Sequence, residues 1–153
     1  LIVIAVLGVL VTAVLVALNP VEQLNRGRDS GRLNSVSQLG NAIQAYFTAQ
    51  AAFPTANATW QTTLDNAGEI SNPIVVTAAP TPCNINAQGN VCYQQNGTDA
   101  TVWTNLESKS EWTRAGCTGT QVAVTAWSFT QGKTGVLCVA TGTTSPGYNP
   151  TLK

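Results

Sequence analysis

Residues 1–54 read LIVIAVLGVLVTAVLVALNPVEQLNRGRDSGRLNSVSQLGNAIQAYFTAQAAFP, and two helical textures meet inside them at Asn19-Pro20. Leu1–Leu18 carries no charge and one hydroxyl, Thr12. At about 1.5 Å per residue, a helix of this length covers about 27 Å, just short of the hydrocarbon core of a bilayer. A helix apolar on every face needs apolar cover all round, and the remaining chain is too small to supply it. A secretion signal would be followed by a small-x-small cleavage pattern, which this segment lacks. Residues 1–20 therefore read as a membrane anchor.

Beyond Leu18 the pattern changes. Pro20 brings no amide hydrogen and biases Asn19 away from helix, so a break is expected there. Gly8 is a second expected weak point. Between them Val9, Val11, Thr12, Val14 and Val16 are β-branched, each costing a helix a few tenths of a kcal/mol. If this segment left lipid, part of Val9–Leu18 is where helix should be lost. A helical period then resumes over residues 21–52: Leu33, Val36, Leu39, Gly40, Ile43, Tyr46 and Phe47 recur at steps of three and four as one apolar stripe. Gly27 and Gly31 weaken this stretch by about 1 kcal/mol each relative to Ala, and small residues four apart also permit close helix approach. Phe53-Pro54 should stop the helix.

Residues 53–153 read as a head built of loops and strands. Val91–Gln94 and Thr101–Leu106 flank Asn96-Gly97, a strong hairpin signal. Gln121–Thr130 alternates with period two, and Gly135–Ala140 follows a turn at Gln131-Gly132-Lys133. The expected class is α+β: a long N-terminal helix packed on an antiparallel sheet of about four strands. The tail from Thr141 should be loop.

Composition narrows the chemistry. Charged residues are 9% of the 153, and seven basic residues cancel seven acidic ones, so charge gives no case for nucleic-acid binding. There is no His, which removes Ser-His-Asp and Cys-His catalysis, bis-His haem ligation and most mixed zinc sites. No catalytic residue, cofactor or metal is expected. There is also no Met, from which we expect that residues ahead of Leu1 were removed or lie outside this chain. Cys83, Cys92, Cys117 and Cys138 contain no C-x-x-C pair, which fits two disulfides in an oxidising, extracytoplasmic compartment better than a zinc site. Of the three pairings, Cys83–Cys92 with Cys117–Cys138 closes the short local loops. Asn57-Ala58-Thr59 and Asn96-Gly97-Thr98 match the N-glycosylation acceptor pattern. Asp99, Glu107 and Glu111 lack the dense spacing of a calcium loop and read as solvated surface. Trp60, Trp103, Trp112 and Trp127 read as the core of a small sheet domain.

LIVIAVLGVL, the run to ALNP, RGRDSGRLNSVSQLGNAIQAYF and the closing FP together resemble the N-terminal helix of type IV pilins and pseudopilins. The likeness is to the bacterial variant with an Ala-Leu-Asn-Pro segment and an Arg-Asp-x-x-Arg cluster, here Arg28, Asp29 and Arg32. VCYQQNGTDATVWTNLES and GVLCVATG are similar to the sheet repeat and the Cys-bearing last strand of the same proteins. Members of that family begin with Phe-Thr-Leu-x-Glu after prepilin peptidase removes a basic leader. Aligning LIVIAVLG puts the family's Glu two residues before Leu1, so the residue with the subunit-docking chemistry is not among these. The resemblance implies a protein held in the membrane before assembly and then added by a pilus assembly machinery to a helical homopolymer. Leu1, Val3, Val6, Leu7, Leu10, Val14 and Leu18 would then line the filament core. An extracellular type IV pilus serving adhesion, motility or DNA uptake is the expected function. A pseudopilin of a secretion or competence machine, and a membrane-anchored extracytoplasmic binding module, are the alternatives.

Overall fold

A computed structural model of the chain describes residues 1–17, 19–141 and 145–153. The N-terminal region forms two helices, α1 (Ile2–Ala17) and α2 (Pro20–Gln50), with Asn19 between them at φ 40, ψ 71. That left-handed conformation is one Asn tolerates better than most residues, and Pro20 follows as the first helical residue, where its missing amide hydrogen costs nothing. The Glu22 and Gln23 N–H groups donate to the Asn19 carbonyl. Gly8 lies inside α1 and does not interrupt it, contrary to its expected role as a break. One glycine costs a helix about 1 kcal/mol, less than leaving the backbone groups of a broken turn without partners. Leu18 lies outside the described residues. α2 stops two residues short of the expected boundary, where Ala51 turns left-handed at φ 53 and donates its N–H to Phe47 O.

The stripe on α2 packs as its period requires. Val36, Leu39, Gly40, Ala42 and Ile43 are buried, while Leu33 and Phe47 are half-buried. They face an antiparallel sheet of β1 (Cys92–Gln95), β2 (Ala100–Asn105), β3 (Val122–Ser128) and β4 (Lys133–Val139), in spatial order β1-β2-β3-β4. Val102 pairs with Trp127 across β2 and β3, and both join the α2 stripe in the main core. At Gly40 the helix comes so close that an added Cβ would sit 2.2 Å from the Trp127 ring. The opposite sheet face carries Trp103 and Ala126, covered by Cys83, Ile85 and Leu152.

Two short helices, α3 (Trp60–Asn66) and α4 (Lys109–Ala115), stand where the sequence read as loop and strand. Each has seven residues, too few for a helical period to show. α3 buries Trp60 against Tyr93, ring centroids 4.9 Å apart, and the Tyr93 hydroxyl donates to Pro54 O. Burial pushes the Tyr93 phenol well above its ordinary value.

The chain itself meets each edge of the sheet at one residue. On β4, the Val136 N–H donates to Lys153 O and the Lys153 N–H to Val136 O. On β1, the Tyr93 N–H donates to Ile85 O and the Asn86 side chain donates to Tyr93 O. Cys83 is bonded to Cys92 and Cys117 to Cys138, so one disulfide pins the edge loop to β1 and the other ties the end of α4 to β4.

Candidate assembly surface

Every described residue of α1 is exposed to solvent in the single chain. Of the residues expected at a filament core, Leu1, Val3, Val6, Leu7, Leu10 and Val14 are all uncovered, with Val3 at 69% and Leu10 at 55% exposure. Leu18 falls outside the described residues. The one hydroxyl, Thr12 Oγ1, donates back to Gly8 O and Val9 O, so it does not ask for water. Val21 and Leu24 are exposed as well and carry the apolar surface past Pro20 onto α2. The N-terminal helix is long and apolar enough to cross a membrane. Its backbone is satisfied within the helix and its surface is apolar on all sides. Such a rod is stable in lipid or among other apolar helices, and in water it is not.

A buried ionic clasp fixes this rod's continuation to the head. Asp29 and Arg32 are each 1% exposed. Arg32 Nη1 donates to Asp29 Oδ1 at 2.5 Å and lies 3.1 Å from Glu107 Oε1, while its Nε and Nη2 both donate to Thr77 O. The Asp29 carboxylate in turn accepts the N–H groups of Glu107 and Ser108. Seven residues earlier on the same helix face, Glu22 accepts the N–H groups of Lys109 and Ser110. The Ser108 hydroxyl accepts the Glu111 N–H. The backbone donors at the start of α4 are thus taken by two carboxylates of α2 and one cap, an arrangement that favours negative charge at that end. The Lys109 amide holds the Glu22 carboxyl below the usual range; partial burial opposes this, and the Ser110 amide and Arg26 reinforce it.

The clasp corrects one expectation and exposes a missed one. Asp99 and Glu107 are largely buried rather than solvated: Asp99 accepts the Ala100 and Thr130 N–H groups, and Glu107 pairs with Arg32 and, at 3.6 Å, Arg28. Glu111 pairs with Arg114. The three do not converge, and among the described residues no cluster of Cys, Asp or Glu is arranged to hold a metal ion. The role of Asp29 and Arg32 was missed, although a signal was present. Positions 29, 32, 36, 39 and 43 continue one helical stripe, and charges lying on an apolar stripe are charges to be buried and paired.

The remaining candidates are scattered. Trp60, Trp103 and Trp127 are buried, and Trp112 is half-buried with Nε1 donating to Gln121 O. Asn57 and Asn96 are both exposed, each on a turn. Comparison with protein-family models, with curated proteins and with solved structures finds no match to this chain.

Proposed function

We propose that the protein is the structural subunit of an extracellular filament of the type IV pilus kind, held in a membrane by α1 before assembly and polymerised through α1 afterwards. One observation carries this reading: an apolar helix, exposed over its whole described length, on a head whose own chain lies against the middle of each sheet edge. Polymerisation by strand addition would need an open edge. The chain itself lies on the middle of both edges, at Val136 and Tyr93, and among the described residues the large uncovered apolar surface is α1. Helices of this kind packed side by side bury apolar area worth about 25 cal/mol per Å², repeated in every subunit. Contacts that do not close into a ring propagate as a helical fibre. Two disulfides and an outer surface rich in Ser, Thr, Asn and Gln suit a head exposed outside the cell. Attachment, movement and DNA uptake are the roles such a fibre serves.

Electron microscopy of material sheared from cells carrying the chain tests the proposal. Long fibres containing it are the expected result, and they should vanish when Val6 or Leu10 is replaced by Asp, because an unpaired buried charge costs several kcal/mol in each subunit. Protein recovered from the membrane fraction with no fibre, in wild type and variants alike, would favour an anchored binding module instead.

A further inference from the structure

We infer that Asn96 is a site of spontaneous covalent modification, its side-chain amide lost through ring closure by the Gly97 backbone nitrogen. Asn96 is the one asparagine in the chain followed by glycine. It sits at the tip of the β1–β2 hairpin, where its own N–H donates to Asp99 O. Asn96, Gly97 and Thr98 are all exposed, and Gly97 holds φ 88 with open space where a side chain would be. The Gly97 N–H donates to Gln95 Oε1 at 2.7 Å, an exposed contact that must open before hydroxide can take its proton, and no Cβ on residue 97 hinders the nitrogen's approach to the Asn96 side chain.

The turn also holds the electrophile. Asn96 Oδ1 accepts the Thr98 N–H at 3.0 Å, the Thr98 hydroxyl at 3.0 Å and the Asp99 N–H at 2.8 Å. These donors withdraw charge from the side-chain carbonyl and lie where negative charge develops on Oδ1 during attack. Hydroxide removes the Gly97 amide proton. The nitrogen then forms a bond to Asn96 Cγ, the Cγ–Nδ2 bond breaks, and Nδ2 leaves as ammonia after taking a proton from water. The product is a five-membered succinimide. Water opens it at either carbonyl, leaving aspartate or isoaspartate at position 96. In sum, one water is consumed, one ammonia is released, and the formal net charge moves from zero to minus one. The aspartate product keeps oxygens where the same three donors point, so the turn survives the change.

Asn57 supplies the comparison within the same molecule. It is exposed, and its Oδ1 accepts the Thr59 N–H at 2.8 Å and the Thr59 hydroxyl at 3.0 Å. Its neighbour is Ala58, whose Cβ and narrower backbone freedom oppose ring closure. The two sites therefore share a threonine amide and hydroxyl as donors, and differ in the residue that attacks and in the Asp99 N–H that Asn96 alone accepts.

Incubation of the full chain in detergent at mildly acidic and alkaline pH, followed by peptide mapping by mass spectrometry, tests the inference. The peptide containing Asn96 should exchange NH for O and resolve into aspartate and isoaspartate forms. Its rate should rise about tenfold per pH unit, as a step needing prior loss of the amide proton requires. Asn57 should change far more slowly, and an Ala58→Gly variant should raise the Asn57 rate towards that of Asn96. Asn96→Gln should remove the exchange at position 96. An Asn96 that keeps its amide, free or carrying a glycan, would overturn the inference. So would equal rates at Asn57 and Asn96, or an Ala58→Gly change without effect.

Discussion

At Gly40 and Arg32, single atoms decide whether α2 can lie on the sheet. A Gly40→Ala variant must push its Cβ into the Trp127 indole, whose Cγ, Cδ2 and Cδ1 would be 2.2, 2.3 and 2.5 Å away. Both groups are buried and cannot swing into solvent, so overpacking of about 1–3 kcal/mol is expected, read as a lower thermal midpoint of the chain in detergent. Arg32→Ala should cost more, about 3–5 kcal/mol, because it strands the Asp29 and Glu107 carboxylates without their buried cation. Glu22 gives an acid signature. Its folded carboxyl titrates below its ordinary value of 4.5, so its contribution is fully present above that value and is lost as pH falls through the lower folded one. The protection factors of the Lys109 and Ser110 amides, taken relative to the intrinsic exchange rate at each pH, should therefore be high at neutral pH and fall in acid. In a Glu22→Gln variant they should be low throughout. Equal protection in the two proteins at neutral pH would remove Glu22 from the clasp.

Elements differ in how much of themselves they write into sequence. The α2 stripe and the β3 alternation are long enough for their periods to stand out, and Pro20 and Asn96-Gly97 mark their boundaries chemically. These were legible. α3 and α4 were not, because a seven-residue helix completes barely two turns and is held by its surroundings. α4 in particular exists where Glu22 and Asp29 take its first amides, from about eighty residues away in the chain, a partnership no local pattern contains. The two disulfides also act at this scale. Cys117–Cys138 closes a separation of 21 residues and Cys83–Cys92 one of 9. Chain entropy then assigns about 3.3 kcal/mol to the first and about 2.6 kcal/mol to the second. Replacing both cysteines of a pair by Ser should destabilise the head in that order under urea. The reverse order would show that the short bridge does more than shorten the unfolded chain, by fixing the loop that covers β1.

The whole molecule is an apolar rod on a head that closes on itself, and truncation separates the two. Residues 1–24 contribute nothing to the three hydrophobic clusters, which begin at Leu33. Residues 29 and 32 belong to the clasp, and Glu22 adds two capping bonds at its margin. A fragment starting at Asn25 should therefore fold, stay soluble as a monomer and form no fibre, since it loses α1, Val21 and Leu24 together. Its α4 amides should exchange faster than those of the full chain, because Glu22 is gone while Asp29 remains. A fragment starting at Leu33 keeps the apolar stripe but leaves Glu107 without Arg32 and the amides of residues 107 and 108 without Asp29, so it should be markedly less stable. Sedimentation, near-ultraviolet dichroism and electron microscopy on the two fragments check each step. Fibres from the fragment starting at Asn25 would show that assembly runs through the head, and the proposed role of α1 would fall. Aggregation of that fragment without fibres would mean instead that the head depends on residues before Asn25 for its own fold.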